Sequence, residues 1–222
     1  MTNISDHFRV VDGDDSLNDF SFSPEDIEKA CSELKSTAAP GPDGVPASLL
    51  KTCKKELSKP LYTLWRSSLD SGLIPDELLL VLISPIHKGG SRGSPKNYWP
   101  VALTSHLITV FERVVRRVLV SYIDRHGLLP NGQHGSRAMR STLTQLLSHW
   151  DSILDGLERG EGVDAVYLDF SKAFDKETGV LLHKLRGAKV LGKVGCWLAA
   201  FLDSAHRQQA VAVEGRVSSL SP

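Results

Sequence analysis

Val163-Asp164-Ala165-Val166-Tyr167-Leu168-Asp169-Phe170-Ser171-Lys172-Ala173-Phe174-Asp175 decides how the rest of the chain is read. Ala165 to Leu168 is a short run of strand-forming residues that ends on a carboxylate, Asp169. Polar and small residues follow, then Leu181, Leu182 and Leu185 at helical spacing. This pattern predicts a buried strand, a tight turn and a helix. A carboxylate at such a strand end is fixed by the strand and opened by the turn, which suits it to hold a divalent cation. Asp is also a favoured helix N-cap, so the same pattern fits a residue that only starts the next helix.

Outward from this stretch the chain reads as helix-rich. Ser23-Pro24-Glu25-Asp26 is a helix start: a Ser cap, Pro in the first turn, acids near the positive end of the dipole. That helix runs to about Leu34 and stops before Pro40. Gly41-Pro42-Asp43-Gly44 is turn chemistry. A helix over 47–71, in one or two pieces, places Leu49, Leu50, Leu57, Leu61, Leu64 and Leu69 in the core. Leu78 to Ile86 passes from a helix end into a strand, and Gly89 to Lys96 is a mobile Gly/Ser/Lys loop. Ser105 to His126 is amphipathic, with Val110, Phe111, Val114, Val115, Val118 and Leu119 inward and Arg113, Arg116 and Arg117 outward. Further helices fall over 141–157, 183–191 and 195–204, and a strand pair flanks Glu214-Gly215. The fold class is α/β (α+β), with the sheet specified least.

Composition bounds the function without naming it. A chain of 222 residues fits one large domain, or part of one, and buries roughly 70% of its unfolded surface. No apolar run reaches the ~18 residues that span a membrane, and no charged-then-apolar leader begins the chain. The expectation is an intracellular protein of nucleus or cytoplasm, without a membrane partner. Cys31, Cys53 and Cys196 are distant and odd in number, which predicts buried thiols rather than disulfides or a zinc site. The zero net charge hides an asymmetry. Residues 1–50 carry 3 basic and 10 acidic side chains, a balance of −7. Residues 51–150 carry 14 and 6, a balance of +8, and residues 151–222 carry 9 and 10, a balance of −1. A basic middle beside a carboxylate-bearing segment suits phosphate contact in one place and cation binding in another; solvated helix faces give the same sums.

Leu168 to Asp175 resembles the first catalytic block of the reverse transcriptases of non-LTR (LINE-type) retrotransposons. It stands in the family's order behind three other blocks. Pro40-Gly41-Pro42-Asp43-Gly44 looks like the turn that opens the family's domain. Ile83-Ser84-Pro85-Ile86-His87-Lys88, and Asn97-Tyr98-Trp99-Pro100-Val101-Ala102-Leu103-Thr104-Ser105 with Phe111-Glu112, resemble the finger blocks. Gln133-His134-Gly135-Ser136-Arg137, with Ser141-Thr142, is similar to the next. Leu182-His183-Lys184-Leu185, Trp197, Phe201-Leu202 and Arg207-Gln208 continue the order, so the resemblance covers about residues 20 to 220.

The resemblance implies a polymerase right hand: a flexible acidic lead-in over 1–20, a helical basic fingers region over 21–160, and a partial palm with its first catalytic strand over 161–222. It implies RNA-directed DNA synthesis, with an RNA template, a DNA primer, deoxynucleoside triphosphates and two Mg2+ ions. Asp169 would be a catalytic metal ligand, assisted by the backbone carbonyl of Phe170, and Phe174 would favour deoxynucleotides by crowding the sugar. Asp175 caps the local turn. Lys88 faces the nucleotide, and Arg92, Lys96, Arg137 and Arg140 face the nucleic-acid backbone. Solvated loop charges and salt bridges explain these basic residues equally well, and a core role explains Phe174.

Four departures accompany the match, and the last weighs most. Trp99 replaces the family's phosphate-seeking Arg and supplies no bidentate contact. Ser136 stands where an aromatic is usual, and Lys176-Glu177-Thr178 is shorter by one and lacks the family's His. The Asp-Asp hairpin that would complete the metal site is absent from the sequence. One aspartate does not hold two ions, so the expectation is a fragment inactive by itself; the alternative is a non-catalytic nucleic-acid-binding remnant. Asp12-Gly13-Asp14-Asp15 spells a viral polymerase signature, but it lies far ahead of Asp169 and is not read as catalytic. Oligomeric state is not readable.

Overall fold

The structure, a computed structural model, describes residues 11, 15–169, 178–203, 208–213 and 216–220. Helix α1, Pro24–Ser32, starts at the predicted Ser23 cap, and the structure completes a capping box there: the Ser23 N–H donates to Asp26 at 2.9 Å, and the Asp26 N–H donates back to the Ser23 hydroxyl. The expected long helix divides into α2, Ala47–Thr52, and α3, Lys54–Ser71. A short α4, Asp76–Leu79, leads into strand β1, Val81–His87; β2 is Tyr98–Leu103 and α5 is His106–Arg125. After α6, Thr142–Glu158, come α7, Thr178–Gly187, α8, Gly192–Leu202, and the hairpin of β3, Gln209–Val213, with β4, Arg216–Val217.

An aromatic cluster explains why α1, α3, α5 and α8 pack together. Phe111 of α5 is fully buried and stacks on Trp65 of α3 at 4.8 Å between centroids. Trp197 of α8 meets its edge at 5.0 Å, and Phe22 closes the other side at 5.4 Å. The Trp197 indole N–H donates to the Ser68 hydroxyl at 3.0 Å, so its polar handle is satisfied inside the core. Ile27, Ala30 and Cys31 of α1 fill the remaining apolar volume.

The sheet runs in the order β2-β1-β3-β4. β1 and β2 are antiparallel, with Leu82 opposite Leu103 and Ile86 opposite Trp99. β3 joins β1 in parallel and turns back on β4. The strand pair near 208–217 and the helix-to-strand passage at 78–86 are therefore where periodicity placed them.

Four expectations are corrected. The strand ending at Asp169 does not form: residues 161–169 are non-helical, unladdered and exposed, with Leu168 at 81%. An apolar run becomes a strand only when a neighbour takes its N–H and C=O groups. Among the described residues the Val166-Tyr167-Leu168 backbone has no such neighbour. Leu49 points to solvent, because short α2 buries Ala47 and Leu50 three residues apart and leaves Leu49 on another face. Cys31 is buried as expected, Cys53 is half-buried and Cys196 is exposed. Residues 15–20 of the acidic lead-in are structured: Leu17 exchanges backbone hydrogen bonds with Lys189 and Leu191 at 2.9 and 3.0 Å.

Helix α6 forms where the pattern placed it, capped by Ser141. Its apolar residues Leu143, Leu146, Leu147, Trp150, Leu154 and Leu157 are nonetheless all exposed. They recur at helical spacing and so make one continuous apolar stripe.

Candidate nucleic-acid interface

The turn at 40–44 and the start of α5 lie 62 residues apart in sequence and lock together. Gly41 sits so close to β2's exit that a Cβ there would lie 2.5 Å from the Thr104 carbonyl oxygen. Only glycine allows that approach. Asp43 then reaches Ser105, whose hydroxyl donates to the carboxylate at 2.5 Å. The same hydroxyl accepts from the Leu107 N–H at 3.1 Å and so caps α5. Asp43 also takes the Val45 N–H at 3.1 Å, and Gly44 adopts a left-handed φ of 67°. Two of the blocks quoted above thus form one joint. The cap at Ser105 is legible from its place before an amphipathic helix, but its partner Asp43 carries no local signal.

The β1–β2 loop carries Lys88, Arg92 and Lys96. It is not a slack connection: Lys88 N–H donates to the Asn97 carbonyl at 2.9 Å, and the Asn97 amide donates to the Ser91 carbonyl at 2.8 Å. The Tyr98 hydroxyl donates to the Arg92 carbonyl at 3.0 Å. This bracing holds the backbone while the three basic side chains face solvent. Trp99 stands beside them on β2, 61% exposed, opposite Ile86.

Arg137 and Arg140 behave differently. Arg137 donates to the Pro130 carbonyl at 3.1 Å and lies 3.7 Å from Asp124, and Arg140 donates to the Asn131 carbonyl. Both side chains brace the 127–141 segment, in which Ser136 and Met139 adopt left-handed backbone at φ 59°. Both guanidinium groups thus spend hydrogen bonds on backbone carbonyls of their own segment.

The charge asymmetry of the sequence is partly settled inside the fold. Acids of the first third meet bases of the middle: Glu28 with Lys54 at 3.2 Å, Glu33 with Arg117 at 2.8 Å and Arg113 at 3.4 Å, Asp15 with Arg125 at 3.1 Å. Burial alone would raise the Glu33 carboxyl, but Arg117 and Arg113 outweigh it and hold it below its ordinary value. Asp19 and Asp70 share Arg66 and Lys193 in a four-charge cluster that ties the residues before α1 to α3 and α8. Arg66, then Lys193, hold the Asp70 carboxyl well below the usual range. For Asp19, burial would raise the carboxyl, yet hydrogen bonds from Lys193 and Arg66 leave it lowered.

Asp169 is exposed and lies on the irregular 161–169 segment, in which Tyr167 meets His149 of α6 at 2.9 Å. Phe170, Phe174 and Asp175 lie outside the described residues, as do Asp12, Gly13 and Asp14. Among the described residues, no group of three His, Cys, Asp or Glu side chains is placed to hold a metal. One exposed carboxylate does not make a cation centre, so the described residues do not by themselves fit a two-ion site.

No protein-family model matches the chain. The probable RNA-directed DNA polymerase from transposon X-element of Drosophila melanogaster is 28% identical over 156 residues, 70% of this chain and 17% of that protein. The chain's homologues are RNA-directed DNA polymerases of transposons. The corresponding polymerase from transposon BS is 29% identical over 153 residues, covering 68% of this chain and 17% of its own length. That of the Drosophila melanogaster mobile element jockey is 27% identical over 201 residues, 89% of this chain and 22% of its own. The chain thus spans 17–22% of the length of the curated relatives it matches. The resemblance read from the ordered sequence blocks agrees with these relatives. No helix among the described residues is long and apolar enough to cross a membrane.

Proposed function

We propose that this chain is the fingers side and first palm segment of a non-LTR retrotransposon reverse transcriptase, which directs DNA synthesis from an RNA template with Mg2+. The observation that supports this most is the joint of Gly41 and Asp43 with Thr104 and Ser105, which couples two of the resembling blocks through contacts that need those residue types. The relatives supply the activity by name.

In this reading the braced β1–β2 loop presents Lys88 toward a triphosphate and Arg92 and Lys96 toward a strand backbone, through charge-assisted hydrogen bonds. Phe174 screens the sugar. Asp169 and the backbone carbonyl of Phe170 would help to hold the metal ion. The remaining carboxylates come from an Asp-Asp hairpin that this sequence does not contain. Bound there, magnesium would stabilise the attacking and leaving oxygens of phosphoryl transfer. The 161–169 segment becomes a strand when a partner strand covers it, and the chain alone does not polymerise DNA.

The first test is binding. Fluorescence anisotropy of a labelled RNA–DNA hybrid should show binding at 50 mM salt that falls steeply as salt rises, because neutralised phosphates release counterions. Absence of binding at low salt would contradict both the polymerase reading and the alternative of a non-catalytic nucleic-acid-binding remnant.

A further inference from the structure

Four Ser-Pro dipeptides occur in the chain, at Ser23, Ser84, Ser94 and Ser221. A serine followed by proline is what proline-directed protein kinases accept, because the proline lacks an N–H and holds the serine extended. The fold treats the three described copies differently. The Ser23 hydroxyl is occupied in the capping box of α1, where it accepts the Asp26 N–H and donates to the Asp26 carboxylate. Ser84 lies within the ladder of β1, opposite Val101 of β2. Ser94 stands in the β1–β2 loop, just before a single 3-10 turn, Pro95–Asn97. Its backbone is extended, at φ −104° and ψ 119°, and its hydroxyl caps no N–H of that turn. Ser221 lies outside the described residues.

The loop around Ser94 is open and cationic. A Cβ placed on Gly89 would meet nothing within 4 Å, and one on Gly93 only the Ser91 hydroxyl at 3.8 Å. Lys88, Arg92 and Lys96 are exposed there, and no Asp or Glu occurs between Glu77 and Glu112 to offset them. The bonds that brace the loop, from Asn97 to the Ser91 carbonyl and from Tyr98 to the Arg92 carbonyl, are exposed. They yield to an enzyme without unfolding a helix or the sheet. We propose that Ser94 is a phosphorylation site for a proline-directed serine kinase, and that phosphate there releases nucleic acid from this loop. In the transfer, the Ser94 oxygen attacks the γ-phosphorus of ATP held by the kinase. The new O–P bond forms as the bond to ADP breaks, and the serine proton passes to the kinase's base. The product places a charge of about −1.5 to −2 among Lys88, Arg92 and Lys96. It competes for their N–H donors and repels the strand phosphates they would attract. The release rests on the polymerase reading; the modification does not.

The test incubates the full chain with magnesium ATP and a recombinant mitogen-activated protein kinase, and maps the sites by tandem mass spectrometry. Phosphate should appear on Ser94 and be absent from Ser23 and Ser84. Ser94→Ala should remove it and, because the hydroxyl caps nothing, leave the melting midpoint unchanged. Anisotropy of a labelled RNA–DNA hybrid then reads the consequence. The phosphorylated chain should bind about tenfold more weakly at 50 mM salt, with a log–log salt slope lower by about 1–2. Ser94→Ala treated with the same kinase should bind like the untreated parent. No phosphate on Ser94, or equal phosphate on Ser23 and Ser84, would overturn the site. Equal hybrid binding before and after full phosphorylation would overturn the release. If the unmodified chain binds no hybrid at any salt, the polymerase reading fails and the release with it, and the mass spectrum alone decides the site.

Discussion

Replacing Ser105 with Ala tests whether the joint between the 40–44 turn and α5 carries stability. Ser105 is 1% exposed, and its one hydroxyl both caps α5 and donates to Asp43. Loss of an N-cap costs about 1 kcal/mol. A hydrogen bond to a charged group is worth about 1.5–3 kcal/mol, but the Asp43 carboxylate is exposed and regains water when abandoned. The sum for Ser105→Ala is therefore about 2 kcal/mol. At about 2–4 °C per kcal/mol for a chain of this size, the melting midpoint should fall by about 4–8 °C. Asp43→Ala should cost about the same, since it strands the buried hydroxyl and frees the Val45 N–H. The double variant should cost well under the sum, with a coupling of about 1–1.5 kcal/mol. Urea unfolding read by circular dichroism provides all four corners of the cycle, and an unchanged denaturant slope shows that stability alone has moved. Costs below about 0.5 kcal/mol, or additivity within that margin, would refute the joint.

Three further outcomes follow from the same contacts. Phe111→Ala empties the space between Trp65 and Trp197 and should destabilise by about 3–5 kcal/mol, with loss of the near-ultraviolet tryptophan signal; retention of that signal would contradict the packing. The Asp19 and Asp70 carboxyls are lowered in the fold, so their contribution is complete above the ordinary carboxylate range and disappears as pH falls through it. The melting midpoint should thus be level near neutrality and drop below pH ~4, less so in Asp70→Asn, and the effect should shrink in high salt because these groups are exposed. Leu147→Gln and Leu154→Gln lie on the exposed α6 stripe and should change stability by less than about 0.5 kcal/mol while raising solubility.

The helices were legible because each carries its own evidence: the Ser23-Pro24-Glu25-Asp26 start and the spacing of Val110, Phe111, Val114 and Val115 are local. What pairs at long range was not. Nothing in residues 15–33 says that their acids meet Lys54, Arg113, Arg117 and Arg125, so a basic middle region read as open was in part already neutralised. Arg137 and Arg140 show the same limit, since their carbonyl partners are set by the path of the 127–141 segment. The 165–168 run has strand composition but no ladder partner among the described residues, and composition cannot supply one. The joint at Asp43 and Ser105 was visible as two motifs and became a contact only in three dimensions.

In the function proposed for the chain, Asp169 carries catalysis as a magnesium ligand once the rest of the polymerase is present. Its direct test is primer extension on an RNA template by a chimera that continues this chain with the corresponding downstream segment of the jockey polymerase. Magnesium-dependent incorporation of deoxynucleotides that vanishes in Asp169→Asn, with folding and RNA binding intact, is the predicted result. Incorporation by Asp169→Asn equal to the parent, while substitution of the hairpin aspartates abolishes it, would exclude that role for Asp169.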